Sequence, residues 1–308
     1  MAISLKAIDY SRPIQPIFLH ELQVGTVHSV FKKATNITFD ETLLTLLSDE
    51  LPRMPNSVRL HSVVTDELLP NLQPGIEVCV GNDALVIPTC NFSFHLSDIP
   101  LWEPRPDVTV YQWNHETVAR HTRLLIQFLA KKQHEDGLAP LVGSLFLEKA
   151  PQETHLSRMA MPKLRLLSQA SWRQNIAGIE EAALGLAGLG PGLTPSGDDV
   201  LGGFAAIMAL LSPHLSADSI SRKHIASTIA AVAKPRTTKL SSVLLEFASR
   251  GEVSEQSGTL ILSLNLPVEE FEVVLKAADG VLSFGASSGG DTLLGILLGL
   301  RALEGEIG

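Results

Sequence analysis

The spacing of apolar residues changes about a third of the way along the chain. Up to about residue 100 they come in short runs, at residues 25–31, 35–39, 43–47, 57–61, 76–80 and 84–87. Several of these runs alternate with period two and carry β-branched or aromatic side chains, the pattern of half-buried strands. Gly81-Asn82-Asp83 lies between the last two runs and predicts a hairpin, and Pro52, Pro55, Pro70 and Pro74 punctuate the rest. The expected product is a small β-barrel or sandwich.

Beyond Trp102-Glu-Pro-Arg-Pro-Asp107, whose two prolines disfavour regular pairing, the period becomes helical. Val118, Leu125, Phe128 and Leu129 share one face, with Arg120, Arg123, Lys131 and Lys132 among the polar positions, and this predicts an amphipathic helix over about 110–134. Residues 137–143 read as a connector. Helical patterns resume at 164–186, 219–233, 240–250 and 268–278. The fold class expected is α+β: a β-rich N-terminal domain over 1–105 and a mainly α-helical domain over 106–308.

Two segments break the helical pattern with unusual chemistry. Gly188-Leu-Gly-Pro-Gly-Leu-Thr-Pro-Ser-Gly-Asp-Asp199 precedes a helix that is apolar nearly all round, and Ala286-Ser-Ser-Gly-Gly-Asp291 opens another. At an offset of 92 residues Ser196 meets Ser288, Gly197 meets Gly289, Asp199 meets Asp291, Leu201 meets Leu293 and Gly203 meets Gly295, a weak internal repeat. The simplest account is a capping box in each, Ser-x-x-Asp, worth about 1 kcal/mol per helix. It leaves unexplained the extra Asp198, the Gly190-Pro-Gly-Leu-Thr-Pro approach, and glycines 203 and 295, each of which costs about 1 kcal/mol inside a helix. Something must come close to these helix ends. Free amides and the macrodipole make such ends anion sites, and two facing ends would accept a small, doubly anionic substrate.

Carboxylates in such a cleft repel an anion unless a cation or a proton intervenes. Asp198, Asp199 or Asp291 could hold magnesium or another divalent ion, pair with a basic side chain, or orient an amine. Arg236, in Lys234-Pro-Arg-Thr-Thr-Lys239, is the cationic candidate, with Thr237 or Thr238 as hydroxyl donor; the alternative is a solvated helix start capped by threonine.

Composition narrows the field. With 45% hydrophobic and 19% charged residues the chain is a compact globule rather than a disordered one. A net charge of −9 without any basic run argues against nucleic acid as partner. Cys79 and Cys90, too far apart for a close metal-type pair, read as buried, reduced thiols. No apolar segment reaches the length of a membrane span, and the N-terminal residues lack the pattern of a signal peptide, so the cytoplasm is the expected compartment. The histidines form no helical metal pair, and no nucleophile elbow, Walker lysine or dinucleotide fingerprint is present.

Three blocks in fixed order carry a family resemblance: Gly190-Pro-Gly-Leu-Thr-Pro-Ser-Gly-Asp-Asp199; Arg236-Thr-Thr with Ser241, Ala248, Gly251 and Ser254; and Ser288-Gly-Gly-Asp-Thr-Leu-Leu-Gly295. The chain resembles the AllH (YlbF-like) family, a subunit of oxamate carbamoyltransferase. The resemblance implies phosphorolysis of oxalurate, or a similar ureido compound, to oxamate and carbamoyl phosphate, together with FdrA-like and YlbE-like subunits. The ligands implied are phosphate, carbamoyl phosphate, oxamate or oxalurate. On that basis Gly190, Gly192, Thr194, Ser196, Gly197, Ser288 and Gly289 would cradle the anion, Asp198, Asp199 and Asp291 would position a metal or the leaving nitrogen, and Arg236 would neutralise charge, with Thr237 as a substrate-binding hydroxyl. Two rivals remain: a metal-dependent hydrolase with a Gly-Asp site at its helix starts, and a non-catalytic partner subunit.

Overall fold

A computed structural model describes residues 3–19, 22–40, 42–132, 136–150, 154–215 and 219–304, with the backbone alone for 219–223. The chain divides into two compact units, Met1–Pro104 and Arg105–Gly308.

The first unit is one curled sheet, a half-barrel. Its strands are β1 (Ile3–Lys6), β2 (Asp9–Ser11), β3 (Gln23–Val30), β4 (Ala34–Phe39), β5 (Thr42–Ser48), β6 (Ser57–Leu60), β7 (Glu77–Gly81), β8 (Ala84–Ile87), β9 (Phe92–His95) and β10 (Leu101–Trp102). They lie in the order β1-β9-β8-β7-β3-β4-β5-β6-β2-β10, so there is one sheet and not the two layers of a sandwich. The β7–β8 hairpin turns on Asn82 and Asp83, both at positive φ, the geometry that matches strand twist in a two-residue loop. Two short helices, α1 (Gln15–Leu19) and α2 (Ser62–Leu68), and strands β1, β2, β9 and β10 have no counterpart in the period-two runs. They are too short to show a period.

Alternate residues such as Val78 and Val80, or Leu85 and Ile87, are fully buried and build the core of this unit. Asp9 on β2 is buried too, and is held by the guanidinium of Arg59 on β6, whose Nη2 donates at 2.5 Å. Cys79 and Cys90 are free thiols, but each is only half-buried: Cys79 alternates with the buried Val78 and Val80 and so points to the other face of β7, and Cys90 packs against the edge of the core.

The second unit is helical: α3 (His115–Lys131), α4 (Val142–Phe146), α5 (His155–Trp172), α6 (Ile176–Leu186), α7 (Ser196–Leu210), α8 (Ser212–Leu215), α9 (Ser219–Ala233), α10 (Lys239–Ser249), α11 (Glu255–Ser263), α12 (Phe271–Leu282) and α13 (Ser288–Glu304). α3 is shorter than its apolar pattern, because Asn114 accepts from the Thr117 amide and fixes the start; residues 133–134 of the expected helix lie outside the described residues. The pattern at 164–186 resolves into α5 and α6, which are divided where Gln174 adopts positive φ and Asn175 caps α6. The expected connector at 137–143 contains a 3-10 turn at Ala139–Leu141 and the start of α4. A capping box does form, but at Thr154 and Ser157 on α5. α11 was not visible in the pattern.

α7 and α13 form the centre of this unit and pack against each other more extensively than any other pair of elements. Both are buried on nearly every face, as expected for helices without a polar side.

Candidate functional site

The site begins with the crossing of α7 and α13. A Cβ built on Gly203 would lie 2.2 Å from the Thr292 carbonyl oxygen, and one on Gly295 would lie 2.1 Å from that of Val200. The two backbones therefore touch, and reciprocally: each glycine meets the residues that correspond to its own neighbours at the 92-residue offset. Glycine at these positions admits the opposite helix, not a ligand, which corrects the inference drawn from glycine cost alone.

The repeat extends beyond the helices. Gly197 backs onto the Leu186 carbonyl at the end of α6, and Gly289 backs onto that of Val281 at the end of α12. Gly197 donates its amide to Leu189 at 2.8 Å, and Gly289 donates to Phe284 at 2.9 Å. Gly190 sits against Ser196, and Gly285 sits against Ser288. Helix, loop and buried helix thus occur twice, with the second loop four residues shorter.

These contacts overturn two expectations. α7 has Pro195 at its N-cap with no side-chain cap bond, so Ser196 and Asp199 do not form a capping box. Nor do the early amides point into a cleft, since Asp198 and Asp199 donate theirs to the Pro195 carbonyl, at 2.9 and 3.2 Å. The loop carbonyls consume most of the donors meant for an anion. Gly192 is at the exposed rim with φ +95° and open space around it, and Gly190 has φ +120°; both are needed for the path of the loop.

What faces inward is carboxylate and hydroxyl. The Ser196 and Ser287 hydroxyls lie near Asp291, and the Ser288 and Thr194 hydroxyls lie near Asp199, each close enough to favour the charged acid. Each of the paired serines, 196 and 288, thus serves the aspartate of the opposite helix. Thr194 Oγ1 and Ser288 Oγ are 3.1 Å apart and tie the two loops together.

The three aspartates differ in their commitments. Asp198 has both oxygens engaged: Oδ1 accepts from the Gly188 amide at 2.9 Å and Oδ2 from the Thr237 hydroxyl. Asp291, wholly buried, accepts on Oδ1 from the Leu138 and Ala139 amides at 2.6 and 2.9 Å. Gly137, with φ +81°, lets this loop close over it, since a Cβ there would lie 2.6 Å from the carboxylate. Oδ2 of Asp291 and Oδ2 of Asp199 are sealed from solvent and have no hydrogen-bond partner.

Burial sets the protonation. Desolvation pushes Asp199 well above the usual carboxylate range, an effect reduced by Ser288 and reinforced by the charges of Asp291 and Asp198. Asp291 is raised to about 6 by burial, against the pull of the Leu138 amide and of Ser196. Asp198 is also raised by burial, against its bond from Thr237.

Arg236 is exposed, with no ion pair among the described residues; only its backbone carbonyl enters the assembly, against Gly188. This guanidinium is therefore not paired with the acids. Thr237 is taken by Asp198, and Thr238 caps α10 while its hydroxyl donates to the Leu193 carbonyl at 2.6 Å. Among the described residues no three His, Cys, Asp or Glu side chains are arranged to hold a metal ion. Sequence reasoning missed the 137–139 loop, and it placed Ser287 in the second loop without giving it a role. The only signal for the loop was Gly137 itself, since backbone amides leave no trace in side-chain chemistry.

These features define a two-unit α+β protein whose helical unit carries a buried carboxylate pair at a duplicated helix start. Residues 186–300 match the family described as oxamate carbamoyltransferase subunit AllH, and residues 6–101 match the AllH family N-terminal domain. The chain belongs to the AllH family. No solved structure matches it. No helix among the described residues is long and apolar enough to cross a membrane.

Proposed function

We propose that this chain is the carbamoyltransferase subunit that receives a ureido substrate at Asp199 and Asp291, acting with phosphate on oxalurate or a close analogue. The observation that carries this reading is the pair of sealed, unpartnered oxygens, Oδ2 of Asp199 and Oδ2 of Asp291. Buried carboxyl oxygens without partners are costly, and a ligand that carries both N–H donors and carbonyl acceptors can serve the charged as well as the protonated acid. A ureido group is such a ligand.

The raised pKa of Asp199, which keeps its proton, gives the chemistry a direction. A phosphate oxygen attacks the carbamoyl carbon, the bond from that carbon to the oxamate nitrogen breaks, and protonated Asp199 delivers its proton to the departing nitrogen. The proton released by phosphate restores Asp199, so carbamoyl phosphate and oxamate form with no net change in the protein. A neutral Asp199 also avoids repelling the incoming anion. Asp198 and Thr237 hold the loops in place, and Thr194, Ser196 and Ser288 orient the two acids. FdrA-like and YlbE-like subunits would complete the enzyme in the cytoplasm.

The test is carbamoyl phosphate formation from oxalurate and phosphate by the chain reconstituted with those two subunits. Asp199→Asn should reduce turnover at least a hundredfold, the usual scale for general acid catalysis, while leaving the thermal midpoint at or above that of the wild type. A variant that keeps full turnover removes Asp199 from the reaction.

A further inference from the structure

A second polar site lies in the helical unit, away from the carboxylate pair. A solvent-open cavity of about 360 Å³ lies among α4, α5 and α13, and its lining includes the exposed Glu148, Arg165 and Gln169, the half-buried Ser144 and Arg301, and the buried Ser168. Its volume is at the small end of the range for metabolite pockets, about 300–1,000 Å³. Leu298 and Arg301 reach it from α13, seven and ten residues beyond Asp291. At 1.5 Å per residue this is about 10 to 15 Å along the helix axis, too far for one small molecule to contact both places.

The lining is underused by the protein. Among the described residues the side chains of Ser144, Arg165, Ser168 and Gln169 have no hydrogen-bond or ion-pair partner, although Ser168 is only 4% exposed. Arg301 is partly committed, since Nη1 donates to Glu304 at 2.8 Å, but its Nε is sealed without a partner. Ser168, buried and unpartnered in the lining, is free to donate to a ligand, whereas the sealed Arg301 Nε reaches no accessible space and belongs with Glu304, whose Oε1 is likewise unpartnered.

We propose that this cavity binds a small amido carboxylic acid at a site separate from the carboxylate pair. Glu304 balances Arg301, which leaves Arg165 as the cation that meets a carboxylate, with Ser168 donating to the same group. Glu148 also lines the space, and a bare dianion would face its charge; a ligand with an N–H end satisfies it. Ser144 and Gln169 serve the amide portion.

The experiment is a thermal-shift titration of the full chain with N-acetylglycine and with oxamate, and with inorganic phosphate as the probe that lacks an N–H group. N-Acetylglycine should raise the midpoint of the wild type and of Asp199→Asn alike, by about 3 °C or more at roughly tenfold the dissociation constant. The shift should disappear in Arg165→Gln, a substitution at an exposed position, and shrink in Ser168→Ala. A wild type that responds to neither amido acid overturns the proposal, as does a response that Arg165→Gln leaves unchanged or that phosphate reproduces in full. A response lost in Asp199→Asn would place the ligand at the carboxylate pair and overturn it as well.

Discussion

Gly203 and Gly295 hold the two central helices in backbone contact, each seated against a carbonyl of the other helix at a distance that no Cβ could share. The contact sets the separation of the helix starts, and with it the distance between the two sealed carboxylate oxygens.

Either glycine changed to alanine should therefore force the helices apart. We expect Gly203→Ala and Gly295→Ala to cost about 3 kcal/mol each, the upper end for overpacking, because the obstructing atoms are backbone. Gly202 is the control: an added Cβ meets nothing closer than a Leu245 methyl at 3.9 Å. Gly202→Ala should be neutral or gain up to about 1 kcal/mol from helix propensity. Urea unfolding of the three variants measures the contrast, and equal losses at 202 and 203 would contradict it.

The buried acids make stability depend on pH in an unusual direction. Asp291 binds its proton more tightly folded, at about 6, than unfolded, near 3.8. Its contribution is fully present below about pH 4 and is lost as the pH rises through 6, because the folded state must then hold a desolvated charge. Asp291→Asn keeps an acceptor for the Leu138 and Ala139 amides but carries no charge. Its midpoint should match the wild type near pH 4 and exceed it by a few degrees at pH 8, as read by calorimetry across that range.

Asp198 acts as a latch between two loops, through the Gly188 amide and the Thr237 hydroxyl. Thr237→Val removes one donor from the buried Asp198 carboxylate and leaves Ser241 as the remaining hydroxyl beside it, at a cost of about 1 kcal/mol. Amide exchange should accelerate at Gly188 and along the following loop, and remain slow in the middle of α7. Unchanged exchange at Gly188 would mean that the latch bears no strain.

Ser288 favours the charged form of Asp199 and so opposes its raised pKa, which gives its removal a signed effect. In Ser288→Ala the carboxyl should hold its proton to higher pH. If protonated Asp199 is the acid in carbamoyl transfer, the alkaline limb of kcat/KM moves upward in the reconstituted enzyme. A limb that stays in place, or moves down, separates Asp199 from the step.

The sequence by itself determined the division into a strand-rich and a helix-rich part, because periods of two and 3.6 are written in the order of apolar residues. It also marked both glycine and aspartate loops, since the 92-residue offset aligns Ser196 with Ser288 and Asp199 with Asp291. It misassigned what those residues do. Ser-x-x-Asp looks like a local cap because capping is a short-range interaction, yet each serine serves the aspartate of a helix ninety-odd residues away. Glycines 203 and 295 were visible as costly, but only the crossing of α7 and α13 shows that the cost admits a backbone. The same holds for the acids: three aspartates are equivalent on paper. Packing divides them into the latched Asp198, the half-held Asp291 and Asp199 with a free oxygen, because desolvation and hydrogen-bond supply are set by which loops close over each carboxylate.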